Sequence, residues 1–139
     1  MSDPHIILIV EDQETDQFIA KRYLQKRWPS VKILTALDGR QAIEILESNM
    51  QNLPDLILLD INMPRMNGHE FLLEWSKRHH LDIPVVVMLT SSEQVSDKES
   101  TQQFSVVKDY LLKPLTKDTV ASLEAVLGDA GQARDTSQD

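Results

Sequence analysis

The chain has 139 residues, 41% of them hydrophobic, no cysteine and a formal net charge of −8. That length suits one domain with a real core; no apolar stretch approaches the roughly 20 residues of a membrane helix, and disulfides and thiolate metal sites are excluded. The acidic balance argues against non-specific nucleic-acid binding, which needs Lys and Arg to displace counterions from phosphates, and Met1–Pro4 lacks the basic and hydrophobic regions of a secretory signal, so the expected setting is cytoplasmic, without nucleic acid or membrane as partner.

Apolar runs of strand length alternate with segments of helical period, the pattern of a parallel sheet built from βα repeats. Ile6–Val10 is the first run. A helix starting near Asp16 follows, with Phe18, Ile19, Tyr23 and Leu24 recurring on one face, and Trp28-Pro29 closes it. Lys21-Arg22 and Lys26-Arg27 on this segment read as a solvated helix face or as a docking surface for an acidic partner. Val31–Thr35 is the second strand, Asp38-Gly39 a turn, and Ala42, Ile43 and Leu46 line the next helix, which frays before Leu53-Pro54.

Leu56–Leu59 is apolar throughout, as befits a central strand covered on both faces. The loop Asn62–Gly68 leads to a third helix with Phe71, Leu72 and Trp75 as its buried stripe, and Val85–Leu89 is the fourth strand. In Ser91–Gln103 only Val95 is strongly apolar, so a fourth helix there has a weak anchor. Val106–Leu112 is the fifth strand, and Val120, Leu123 and Leu127 dock a last helix. The folded domain is expected over residues 1–127; from Gly128 no apolar side chain exceeds Ala, which predicts a disordered tail over 128–139.

Four runs end at polar residues of different chemistry: Glu11-Asp12, Asp60, Thr90 and Lys113-Pro114. In a parallel sheet these meet at the C-terminal edge, where open α/β sheets hold ligands. Asp60 caps a central strand and can act as a nucleophile toward phosphorus, forming an aspartyl phosphate. The incoming group is anionic, so a hard cation is needed; Mg²⁺ takes one or two carboxylates and keeps several waters. Asp12 and Asp60 supply the carboxylates, Glu11 holds metal-bound water, and the backbone carbonyl of Asn62 adds a ligand. Crowding of these acids predicts a raised pKa for at least one of them. The Thr90 hydroxyl and Lys113 ammonium then suit two phosphoryl oxygens, and a cis bond before Pro114 would re-aim Lys113. Taken singly, each residue has a plainer reading: Asp60 as a turn former, Thr90 as a helix cap, Lys-Pro as nothing in particular.

These motifs, together with Pro54–Asp60, Met63-Pro64, Gly68, Leu89-Thr90-Ser91 and Asp109–Pro114, resemble the receiver domain of two-component response regulators, the stand-alone type like the chemotaxis regulator. The resemblance covers about Ile6 to Leu127. It implies a flavodoxin-like α/β fold, a doubly wound five-stranded parallel sheet of order 2-1-3-4-5 with helices on both faces. It also implies that Asp60 is the phosphoacceptor, Glu11 and Asp12 the Mg²⁺ acids, Thr90 the switch hydroxyl, Lys113 the phosphate-pairing lysine and Tyr110 the switch aromatic. A half-buried strand residue is the alternative for Tyr110. The implied partner is a sensor histidine kinase or phosphotransfer protein, with output through protein contacts that include a homodimer on the helix 4–strand 5–helix 5 face. No enzymatic activity beyond self-catalysed phosphoryl acceptance and autodephosphorylation is implied.

Departures from the family pattern are Val106-Val107, where Gly-Ala is usual, and Ser91, where Ala is common. Phe104 and Val106 read as interface or packing residues. His79-His80 makes a poor chelate, because adjacent helical residues do not face each other, and His69 is assigned no role. Two rival readings remain. A constitutive interaction or dimerisation module with a vestigial acidic pocket would ignore Mg²⁺. A phosphohydrolase with an aspartyl-phosphate intermediate would carry a second Asp two residues past the nucleophile, where this chain has Asn62.

Overall fold

The computed structural model describes residues 3–61, 63, 65–79, 85–90 and 104–138. Five parallel strands, β1 (Ile6–Val10), β2 (Lys32–Ala36), β3 (Leu56–Asp60), β4 (Val86–Thr90) and β5 (Val107–Leu112), form one sheet of order β2-β1-β3-β4-β5. Helices α1 (Glu14–Arg27), α2 (Gly39–Glu47) and α3 (Gly68–His79) and a C-terminal helix (Lys117–Gln138) accompany it. The expected architecture and strand order are those observed. The helix expected over Ser91–Gln103 lies outside the described residues.

The side-chain alternation of the strands splits the core into two layers. Ile7 and Ile9 of β1, Leu56 and Leu58 of β3 and Val87 of β4 pack with Ala20 and Leu24 of α1 and Val120 and Leu123 of the C-terminal helix. Leu8, Val10, Ile57, Leu59 and Met88 pack on the other face with Ala42 and Leu46 of α2 and Phe71 and Trp75 of α3. Every residue of β3 and β4 is buried, which is why those two segments read as unbroken apolar runs. Because Asp60 and Thr90 are the last residues of their strands, their positions are fixed by the ladder itself.

The structure moves several expected boundaries. The second strand is Lys32–Ala36 instead of Val31–Thr35, and a bond from Glu11 N–H to the Ala36 carbonyl (3.0 Å) carries the β1–β2 ladder past its last pair. The β4–β5 pairing runs Val86↔Val107 and then Val87↔Asp109, so Lys108 is an extra residue, a bulge. Phe104 and Val106 are buried in the layer with α2 and α3, so packing is the role the structure gives them. Beyond Leu127, where a disordered tail was expected, the helical backbone continues to Gln138.

Leu58 lies at the centre of the sheet with no solvent exposure. Its replacement by Ala is expected to cost about 2–5 kcal/mol through lost burial and the cavity left behind. Urea unfolding of Leu58→Ala beside the parent measures this; a loss below about 1 kcal/mol would mean that the layer collapses around the site.

Candidate functional site

The four polar strand ends converge. β1 and β3 are neighbours with Val10 opposite Leu59, so Glu11 and Asp60 both leave the sheet at the same height. Asp60 in turn pairs with Leu89, which places Thr90 one residue beyond it. On the far side, Thr90 pairs with Leu112 and accepts a bond from the Lys113 N–H at 2.8 Å. The Lys113–Pro114 peptide is cis, as the dipeptide allowed.

Glu11 and Asp60 are 1% and 2% exposed, and Thr90 is equally buried. Lys113 reaches into this group: its Nζ lies 2.9 Å from Glu11 Oε1, 3.1 Å from Asp60 Oδ2 and 3.5 Å from Asp16 Oδ2. Oxygen atoms of Glu11, Asp12 and Asp60 all lie within 4.8 Å of one another. Hard carboxylate donors at that separation fit a divalent cation of the Mg²⁺ kind. The acids expected to hold the metal are therefore brought together with Lys113, while Asn62 and Ser91 lie outside the described residues. Tyr110 is half-buried, pairs with Met88, and packs against the layer that holds α2 and α3.

Burial pushes Glu11 from its ordinary 4.5 up to about 7. Bonds from Lys113 and from the Gln13 N–H oppose the rise, and the negative charge of Asp60 adds to it. One acid of the cluster is thus raised, as its crowding implied, but burial leads and like charge is the smaller cause. Burial also works against the charged form of Lys113, yet the bond to Glu11 and the charges of Asp60 and Glu11 outweigh it and hold the ammonium above its ordinary value.

Local devices hold the cluster in place. Gln17 Nε2 bonds the carbonyls of Glu11 (2.7 Å) and Ala36 (3.0 Å), tying the turn after β1 to the end of β2. The Gln13 N–H donates to Glu11 Oε2 at 3.0 Å. After β3, Asn67 and Glu70 form reciprocal side-chain-to-backbone bonds of 2.8 and 3.0 Å, a capping box for α3. Gly68 follows, and a Cβ there would sit 2.7 Å from the Asp60 carbonyl oxygen. Sequence reasoning passed over Asp16, Gln13 and Gln17. His69 lies edge-on to Phe104 with ring centres 5.8 Å apart; His79 ends α3, and His80 lies outside the described residues.

Comparison with known proteins agrees with this geometry. A family model described as the response regulator receiver domain matches residues 7–123. FilR2 of Methanothrix harundinacea is 35% identical over 119 residues, covering 82% of this chain and 75% of that protein. Protein PilH of Pseudomonas aeruginosa is 30% identical, covering 87% of this chain and 96% of PilH. The crystal structure of a two-component response regulator from Legionella pneumophila superposes with a TM-score of 0.77 at 33% identity, covering 90% of this chain and 98% of that one. Several curated relatives are longer, and the chain spans 44% or less of their length.

Between about pH 4.5 and about 7 the unfolded chain has released the Glu11 proton while the folded chain retains it. The folded state binds more protons in that window, so the stability of the metal-free protein is expected to fall as pH rises through it. Lys113 adds no slope there, because its folded and unfolded values both lie above the window. Urea midpoints across this range should show the decline, and Glu11→Gln should flatten it; an unchanged slope in the variant would contradict the assignment.

Proposed function

We propose, from the premise that this chain belongs to the response regulator receiver domain family, that Asp60 accepts a phosphoryl group from a phosphohistidine on a sensor histidine kinase or phosphotransfer protein. The observation that carries this reading is the meeting of Asp60 with Lys113, Glu11 and Asp12 at one sheet edge. A carboxylate oxygen of Asp60 attacks phosphorus, the new O–P bond forms as the donor's N–P bond breaks, and the electron pair returns to the imidazole nitrogen. Glu11, Asp12, Asp60 and the backbone carbonyl of Asn62 would hold Mg²⁺, which when bound offsets the charge of the phosphoryl oxygens.

The chain's own groups do the positioning. Lys113, already 3.1 Å from Asp60 Oδ2, is placed to pair with a phosphoryl oxygen once the carboxylate is esterified. The Thr90 hydroxyl donates to another oxygen, and its movement makes room for the Tyr110 ring. Glu11 and Asp12 then face a centre that has changed charge. The chain catalyses acceptance and loss of its own phosphoryl group and turns over no outside substrate. Output passes through protein contacts in the cytoplasm; Leu112 on β5, 46% exposed, favours a homodimer face that includes β5 and the C-terminal helix.

Incubation with a small acyl-phosphate donor and Mg²⁺, followed by intact mass measurement beside Asp60→Asn, tests the reading. The expected result is one phosphoryl adduct on the parent that requires both Mg²⁺ and Asp60. Lys113→Ala should slow its formation on the order of 100-fold, the usual cost of removing a charge-stabilising donor. A folded parent that forms no adduct with fresh donor would favour a scaffold with a vestigial pocket.

A further inference from the structure

The loop between Asp60 and α3 is anchored at both its base and its tip. At the base, the Ile61 N–H donates to the Leu89 carbonyl and the Gly68 N–H to the Ile61 carbonyl, each at 3.0 Å. At the tip, the Gly39 N–H donates to the Met66 carbonyl at 3.0 Å. Gly39 opens α2, and a Cβ on it would meet the Met66 side chain at 2.7 Å, so the tip lies directly on the α2 backbone. Beside this contact, Arg65 Nε lies 3.2 Å from Asp38 Oδ2.

Two features of that ion pair go beyond ordinary surface pairing. Asp38 is 3% exposed and already caps α2, accepting a bond from the Gln41 N–H at 2.9 Å. Among the described residues that carboxylate has one backbone donor, and a buried carboxylate depends on a counter-charge. Arg65, its partner, has φ 65°, in the left-handed region where glycine sits at lower cost. A non-glycine residue held there persists where the surrounding structure over-determines it, commonly next to a functional site. The side chain, rather than the backbone, is the reason for an arginine at this point.

We propose that the Asp38–Arg65 ion pair is a positioning latch, which holds the tip of the loop after Asp60 against the N-terminus of α2. The orientation of the acceptor site thereby depends on two residues that touch neither the carboxylate cluster nor Lys113. The proposal rests on the phosphoacceptor reading for its chemical consequence, but its geometry stands apart from it. With the latch closed, Arg65 and Met66 are both held at the start of α2. With the latch open, the Gly39–Met66 backbone bond is left as the tip's hydrogen bond to α2 among the described residues, and the tip is held less firmly.

The test measures Mg²⁺ affinity by calorimetry and the rate of phosphorylation by a small acyl phosphate in the full chain, for the parent, Arg65→Gly, Arg65→Lys, Asp38→Asn and the Arg65→Gly/Asp38→Asn pair. Arg65→Gly keeps the left-handed backbone and removes the guanidinium; Asp38→Asn keeps a cap acceptor and removes the charge. Each is expected to weaken Mg²⁺ binding and slow phosphorylation by roughly tenfold, the scale seen when supports of a metal site are removed. The double variant should be no worse than either single change, and Arg65→Lys should recover part of the loss. Thermal stability of Arg65→Gly serves as the structural control. Mg²⁺ affinity and rate within twofold of the parent in both Arg65→Gly and Asp38→Asn would overturn the latch, whatever the stability. A parent that binds Mg²⁺ but forms no phosphoryl adduct would defeat the phosphoacceptor reading and leave the latch to be judged on Mg²⁺ affinity alone.

Discussion

The site depends on one ammonium group placed among buried carboxylates. Glu11 and Asp60 are almost wholly removed from water, and two such charges side by side would repel without a partner. Lys113, whose side chain is 13% exposed, supplies that partner to both and reaches Asp16 as well. Glu11 follows β1, Asp60 ends β3 and Lys113 follows β5, so the balance of charge exists only once β1, β3, β4 and β5 are paired. The ion pairs are therefore a readout of the fold as much as a support for it. They also leave the cluster short of positive charge, since one ammonium faces three acids, and that deficit is what a divalent cation would meet.

Much of this was legible in the sequence, for physical reasons that can be named. Central parallel strands are buried on both faces, so Leu56–Leu59 and Val85–Leu89 stand out as uninterrupted apolar runs. A polar residue that ends such a run has nowhere to go but the sheet edge, which makes Asp60, Thr90 and Lys113 visible from sequence. The shift of β2 by one residue was not legible, because a half-exposed edge strand carries a weaker pattern. Asp16 and Gln17 were passed over because their roles depend on how the first turn of α1 faces the sheet. Nor could composition show that Arg65 is paired with Asp38, since the two are distant in sequence and meet only after α2 and the loop after β3 are both in place.

The helix α2 shows how one short segment serves several purposes. Asp38 caps it, Gly39 opens it against the loop after Asp60, and Ala42, Ile43 and Leu46 bury its apolar side. Asp38 and Gly39 read from sequence as a simple turn. In the structure they form a seat for a second loop. The same is true on a smaller scale of Asn67 and Glu70, whose reciprocal bonds start α3 directly after that loop. Caps are usually discussed as stabilisers of helices; here they also fix the ends of the chain segment that leaves Asp60.

The bulge at Lys108 has a consequence for the phase of the last strand. Val107 and Tyr110 pack on the same side of the sheet although they are separated by an odd step, while Leu111 packs on the opposite side. Strict alternation would send Val107 and Tyr110 to opposite sides, so the extra residue acts as a half-period delay. It sets which side of the sheet the aromatic ring occupies and, three residues later, how the lysine arrives at the acids. The segment between Val107 and Lys113 is thus constrained in parity more than in composition: a change in length by one residue would exchange the two sides, and a change by two would restore them.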